Sequence, residues 1–249
     1  MTVGAPHDLA TAHPLADNRI VIVGGGSGFG LATARGAAEA GAKVEVISHS
    51  DASVAHAIAQ LPPGVSGHAV SALDQAKLAA VFGDIGPIDH LIYTAADKPL
   101  AGPISTMPVD DVRRAFETRY FGALNTIGCA VEHVRRSITL TSGAASIRPR
   151  ATSGVLASVC GAMEGLMRAL AVELSPIRVN LVRPGFTNTG MWADLDEDTR
   201  GALFQQTANT NLVGHVGEAV EVARAYLYCM TSTYATGSIV TVDGGYALT

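Results

Sequence analysis

The chain has 249 residues, 48% of them hydrophobic and 16% charged, with a formal net charge of −5. Such a composition supplies ample core, and an acidic balance with scattered basic residues excludes nucleic acid as a favoured partner. No uninterrupted apolar run reaches 18 residues, so no membrane span is expected.

Residues 1–16 carry neither the basic nor the apolar region of a secretory signal and read as a flexible tail. Ile20–Val23 is a short apolar run ending in glycines, which suits a buried parallel strand. Leu31–Ala40 reads as a helix that stops at Gly41, and Lys43–Ile47 as the next strand. Further strands are expected at Gly67–Val70, His90–Tyr93, Ser137–Thr141, Arg178–Val182 and Ser238–Val242. Helices are expected at Ser53–Gln60, Gln75–Phe82, Val109–Arg135, Val155–Leu174 and Ala219–Met230, with Asp74 and Asp110 at cap positions. Strand and helix alternate without repeat or linker. Residues 17–249 should therefore form one α/β domain, a Rossmann-like doubly wound parallel sheet of about seven strands with helices on both faces.

The segment Val23-Gly24-Gly25-Gly26-Ser27-Gly28-Phe29-Gly30 joins the first strand to the first helix. Glycines at such a turn let backbone N–H groups and the helix N-terminus face a pyrophosphate, and the second strand completes the βαβ unit that a dinucleotide site needs. Gly24, Gly26, Ser27, Gly28, Phe29 and Gly30 are the expected cradle. Cys129, Cys160 and Cys229 are odd in number and widely spaced. They fit free thiols in a reducing cytoplasm, without metal-ligand spacing.

Later motifs complete a pattern. Asp89–Ala96 ends a strand, Ile177-Arg178-Val179-Asn180 leads to Pro184-Gly185 and Thr189, and Thr236-Gly237 precedes Val242-Asp243-Gly244-Gly245. With the glycine loop, these make the chain resemble the short-chain dehydrogenase/reductase family from about Leu15 to its end. The resemblance implies cofactor contacts at Ala95, Ala96, Pro184, Gly185, Thr187 and Thr189, and a substrate lid at 186–212 that carries Met191 and Trp192. It also implies a homo-oligomer, dimer or tetramer, built on the helices at 109–135 and 155–174. Ser48 lies 18 residues after Gly30, where NAD-selective members place an acid. Neither Ser48 nor His49 is acidic, so a 2′-phosphate meets no repulsion and NADP is favoured, with NAD as the alternative. Ser71 replaces the aspartate often directed at the adenine.

The family's catalytic residues do not carry over. Its tyrosine falls at Leu156, its lysine at Cys160, its serine at Gly143 beside Ser142, and its helix asparagine at Arg119. No tyrosine here has a lysine four residues later: Tyr93, Tyr120, Tyr226, Tyr228 and Tyr234 are followed at that spacing by Asp97, Leu124, Met230, Ser232 and Ser238. Positions i and i+4 share a helix face, so the face that presents a phenol and an amine in relatives presents Leu156 and Cys160.

Two replacements are expected for the catalytic role: Ser142, its hydroxyl toward the substrate oxygen, and Arg119, as oxyanion stabiliser or carboxylate grip. Lys98, Arg148 and Arg150 are expected around the entrance, where arginines suit an anionic substrate, and Cys160 inside it. Three readings stay open. The first is an atypical NADP-dependent oxidoreductase acting on a small carbonyl or alcohol. The second is a non-redox isomerase, lyase or cyclase, and the third a non-catalytic dinucleotide-binding protein.

Overall fold

The apolar runs form the middle of a parallel sheet. The computed structural model describes residues 14–249. Its strands are β1 (Arg19–Val23), β2 (Lys43–Ser48), β3 (Ser66–Ala69), β4 (Ile88–Tyr93), β5 (Val134–Thr141), β6 (Arg178–Pro184), β7 (Thr187–Asn188), β8 (Gly217–Glu218) and β9 (Ile239–Val242). Seven pair in the order β3-β2-β1-β4-β5-β6-β9, with every pairing parallel, and β7 pairs β8 in a small separate ribbon. The order reverses between β1 and β4, where Ile20 stands between Val44 and His90. In open α/β sheets a ligand crevice opens beyond the strand ends at that point.

The α-helices are α1 (Gly28–Glu39), α2 (Asp51–Ile58), α3 (Gln75–Ile85), α4 (Val109–Phe116), α5 (Gly122–Ala130), α6 (Gly154–Glu173), α7 (Glu197–Thr210) and α8 (Ala219–Thr231). Alternate residues of β1 serve two cores. Val21 and Val23 pack with Leu78, Phe82, Ala123, Ile127, Met163 and Met167 from α3, α5 and α6. Ile20 and Ile22 pack with Ala34, Ala37, Val222 and Tyr226 from α1 and α8. Each such aliphatic side chain contributes about 1.5–3 kcal/mol by leaving water, so both layers hold the strand ends rigidly.

Four expectations gain detail, the first and third as corrections. The helix expected over 109–135 is interrupted by a π turn at Glu117–Phe121 and ends at Ala130, and Arg135 belongs to β5. The cause is Tyr93, whose hydroxyl at the end of β4 donates to the Thr118 carbonyl; a side chain inserted into a helix ladder commonly widens it. Secondly, α6 is long and apolar enough to cross a bilayer, at mean hydropathy 1.5. It lies instead on the sheet, burying Val159, Met163, Met167 and Leu170. Thirdly, of the expected tail at 1–16, residues 1–13 lie outside the described residues, while Leu15 is already in the core. Lastly, the lid segment holds β7, a short 3-10 turn at Gly190–Trp192 and α7.

Candidate active site

The glycine loop builds a groove at the C-terminal ends of β1, β2 and β4. Gly24 has φ +88, and a side chain there would strike the backbone of Ala95, so the loop can pass β4 only without a Cβ. Gly28 has φ +51, and a Cβ there would stand 3.7 Å from the Thr189 side chain. The groove encloses about 370 Å³ and is lined by Gly24, Gly26, Ser27, Gly28, Phe29 and Gly30 on one wall. Ala95, Ala96, Asp97 and Lys98 line another, and Thr189 and Met191 close it from the lid. The first turn of α1 carries no acidic residue, so its free N–H groups and dipole favour an anion in the groove.

At the β2 end the groove is hydroxyl-rich. Ser48, His49, Ser53 and Ser71 line it. The Ser48 and Ser53 hydroxyls are 2.7 Å apart, and a Cβ on Gly26 would overlap Ser53 and reach within 2.6 Å of Ser48 Oγ. No carboxylate lines this end. A glycine-walled, donor-rich trough with a neutral polar end fits a dinucleotide.

The other end is shaped by the π turn. Thr118 lines the groove, and beside it the half-buried Arg119 donates from Nη2 to the Asp97 carbonyl at 3.1 Å. Burial pulls the guanidinium below its ordinary value, and neighbouring Cys160, Asp97 and Tyr93 oppose that shift; an arginine still stays charged. Cys160 is 1% exposed. Burial pushes its thiol up, against the pull of Arg119 and Ser142, which leaves it a neutral packing group. A Cβ on Gly143 would stand 3.2 Å from Cys160 Sγ, so the wall at 143 is kept free of a side chain.

Ser142 differs from expectation. It is 3% exposed, and its hydroxyl turns under α6, donating to the Cys160 carbonyl at 3.0 Å and to Glu164 Oε1 at 3.2 Å. Glu164 is the centre of a buried network that the sequence reading missed. Ser146 Oγ donates to Oε1 at 2.5 Å, and Arg183 donates from Nε at 2.9 Å and from Nη2 to Oε2 at 2.8 Å. Burial would raise the Glu164 carboxyl, but hydrogen bonds from Arg183 and Ser146, the Arg183 charge and Ser142 hold it below the ordinary carboxylate range. It is therefore an ionised acceptor and no proton donor. Removing one partner of such a pair costs on the order of 3–5 kcal/mol, so the network staples the end of β5 to α6 and β6. One signal was available: Glu164 follows Cys160 by four residues and Leu156 by eight, on one helix face.

The remaining expected residues scatter. Arg148 stacks on the Tyr246 ring, 4.4 Å from its centroid, and donates to the Tyr246 carbonyl. Arg150 donates to the Tyr246 hydroxyl from the same ring's surroundings. The entrance pair is thus occupied by the segment after β9. Lys98 pairs with Asp194 of the lid. Trp192 stacks on Phe186 at 4.5 Å and donates to the Thr187 carbonyl, which makes it lid packing, while Met191 faces the groove. Pro184, Gly185 and Thr187 lie behind the groove lining: Gly185 donates to the Val242 carbonyl at 2.8 Å, and Thr187 bonds the Gly185 carbonyl.

Comparison with known proteins agrees with this geometry. The family model described as enoyl-(acyl carrier protein) reductase matches residues 24–247. The short-chain dehydrogenase/reductase ucsE of Acremonium sp is 31% identical, over 94% of this chain and 97% of the relative. A small-chain dehydrogenase solved in complex with NADPH is 33% identical, with TM-score 0.82 over 94% of this chain and 100% of the other. The MalC reductase/Diels-Alderase of Malbranchea aurantiaca superposes with TM-score 0.88 at 26% identity, over 95% and 99% of the two chains.

Proposed function

The chain belongs to the short-chain dehydrogenase/reductase family, and from that premise we propose an NADP(H)-dependent oxidoreductase with a divergent site, acting on a small carbonyl or alcohol. The observation that carries this reading is the groove, whose phosphate cradle at the α1 N-terminus leads to an end lined by Ser48, His49 and Ser53 without a carboxylate. When bound, the nicotinamide would supply or accept the hydride. It would be oriented beside Arg119, Gly143 and the buried Cys160, with Leu156 one helical turn before Cys160 on α6. In reduction the carbonyl π pair moves onto oxygen as carbon gains the hydride. Arg119 stabilises the charge that develops there, a role whose loss costs roughly 10²-fold or more in rate. The guanidinium keeps its protons, so a water molecule protonates the oxygen and leaves as hydroxide. Ser142 acts by holding the β5 end in place through Glu164.

The same residues favour one other reading. Leu156 and Cys160 offer no acid–base couple, which suits a non-redox cyclase, lyase or isomerase that uses the pocket for positioning alone. Loss of dihydronicotinamide absorbance during turnover separates the two. The buried thiols Cys160 and Cys229 fit a cytoplasmic protein, and the exposed Val109, Phe121 and Leu124 of the helices α4 and α5 and the turn between them fit a homo-oligomer.

Fluorescence titration tests the cofactor assignment. NADPH should bind more tightly than NADH, and His49→Asp should weaken NADPH roughly tenfold or more while sparing NADH. Equal affinities would remove the NADP assignment, and binding of neither would remove the oxidoreductase reading.

A further inference from the structure

Among the described residues, five cationic side chains near α6, the lid and the segment after β9 are ion-paired or stacked, whereas Arg119 is neither. Arg183 is held bidentately by Glu164. Arg168 faces the same carboxylate at 3.7 Å. Lys98 is paired with Asp194. Arg148 and Arg150 are stacked on Tyr246 and bonded to it. Arg119 makes a single hydrogen bond, to the Asp97 backbone carbonyl, and among the described residues no carboxylate lies within ion-pair distance of it. A half-buried guanidinium presents five N–H donors in a planar fork. One donor is used, and the others have no hydrogen-bond partner among the described residues; the guanidinium lies next to Thr118 and Asp97, which line the groove.

The residues expected to face the nicotinamide cannot answer a polar substrate. Gly143 has no side chain, Leu156 is aliphatic, Cys160 is buried and neutral, and the Ser142 proton is committed to Glu164 or the Cys160 carbonyl, both acceptors. An oxygen brought there meets one cation without a carboxylate partner among the described residues, Arg119, next to Thr118.

We infer that Arg119 is a receptor for a pair of oxygens sharing negative charge, so that the substrate class is an anionic carbonyl compound such as a 2-oxo acid or an enolised 1,3-dicarbonyl. One oxygen of the pair is the reacting one or its neighbour. The inference rests on the oxidoreductase reading for the identity of the reacting group, but its binding step stands apart from turnover.

Calorimetry on the NADP⁺-loaded protein tests it, with oxalate, pyruvate and methyl pyruvate as probes. Oxalate and pyruvate should bind, and the uncharged ester at least about tenfold more weakly. Arg119→Met should weaken oxalate by roughly 30-fold or more and far more than it weakens NADP⁺, and Arg119→Lys should recover only part of the loss, because a point charge lacks the fork. The wild-type comparison of acid and ester stands even if the variants fail to fold. Equal binding of acid and ester, unaltered oxalate binding in Arg119→Met, or no probe binding to a protein that does take NADP⁺ each overturns the inference and spares the oxidoreductase reading. A protein that takes no NADP⁺ overturns both.

Discussion

His90 sits in β4 at 2% exposure, with Nδ1 2.7 Å from the Ser137 hydroxyl. Burial, helped by the Arg178 and Arg136 charges and opposed by Asp89, brings its pKa down to about 4. The unfolded chain therefore takes up this proton first, near pH 6.5. The stability that depends on neutral His90 is complete above that value and is lost as pH falls from about 6.5 to about 4, a change of about 3 kcal/mol in all. Urea midpoints measured across that range should fall more steeply in the wild type than in His90→Gln; parallel curves would show that the histidine is not buried neutral. Single residues were also the hardest thing to read in the sequence. Glu164 sits in an apolar helix and its partner Arg183 lies 19 positions later, so only the β5-α6-β6 crossover brings them together. Ser142 was placed correctly at the strand end, but its direction depended on that unseen carboxylate.

Among the elements, the π turn between α4 and α5 had no counterpart in the sequence reading, because it is set by a residue of another strand and not by the local sequence. Its cause lies in another element, the Tyr93 hydroxyl bonded to the Thr118 carbonyl. Tyr93→Phe keeps the ring buried and removes that bond, at a cost of about 1 kcal/mol, or a fall of about 2–4 °C in Tm for a chain of this size. Relaxation of the turn toward regular α-helix would rotate Arg119, so oxalate affinity should drop while NADPH affinity holds. Unchanged oxalate binding would separate the turn from the site. The glycine loop, by contrast, was legible throughout, since steric need dictates glycine where Gly24 passes Ala95.

At the scale of the whole molecule, a parallel sheet of about seven strands between two helical layers followed from the alternation of strand and helix, because parallel strands buried on both faces admit few topologies. Surface association is less visible there. Val109, at the start of α4, and Phe121 and Leu124, one turn apart, are 64, 50 and 37% exposed, apolar surface suited to a second copy of the chain. Sedimentation should show a dimer or tetramer that Phe121→Asp dissociates; a monomeric wild type would remove the proposal. The ring of Tyr246, gripped between two guanidinium groups, has a consequence for how this chain tolerates change. It makes the segment beyond β9 and the loop beyond β5 a single mechanical piece, although about a hundred residues separate them in the chain. A substitution at Tyr246 is thereby felt at Arg148 and Arg150, at the other end of that piece.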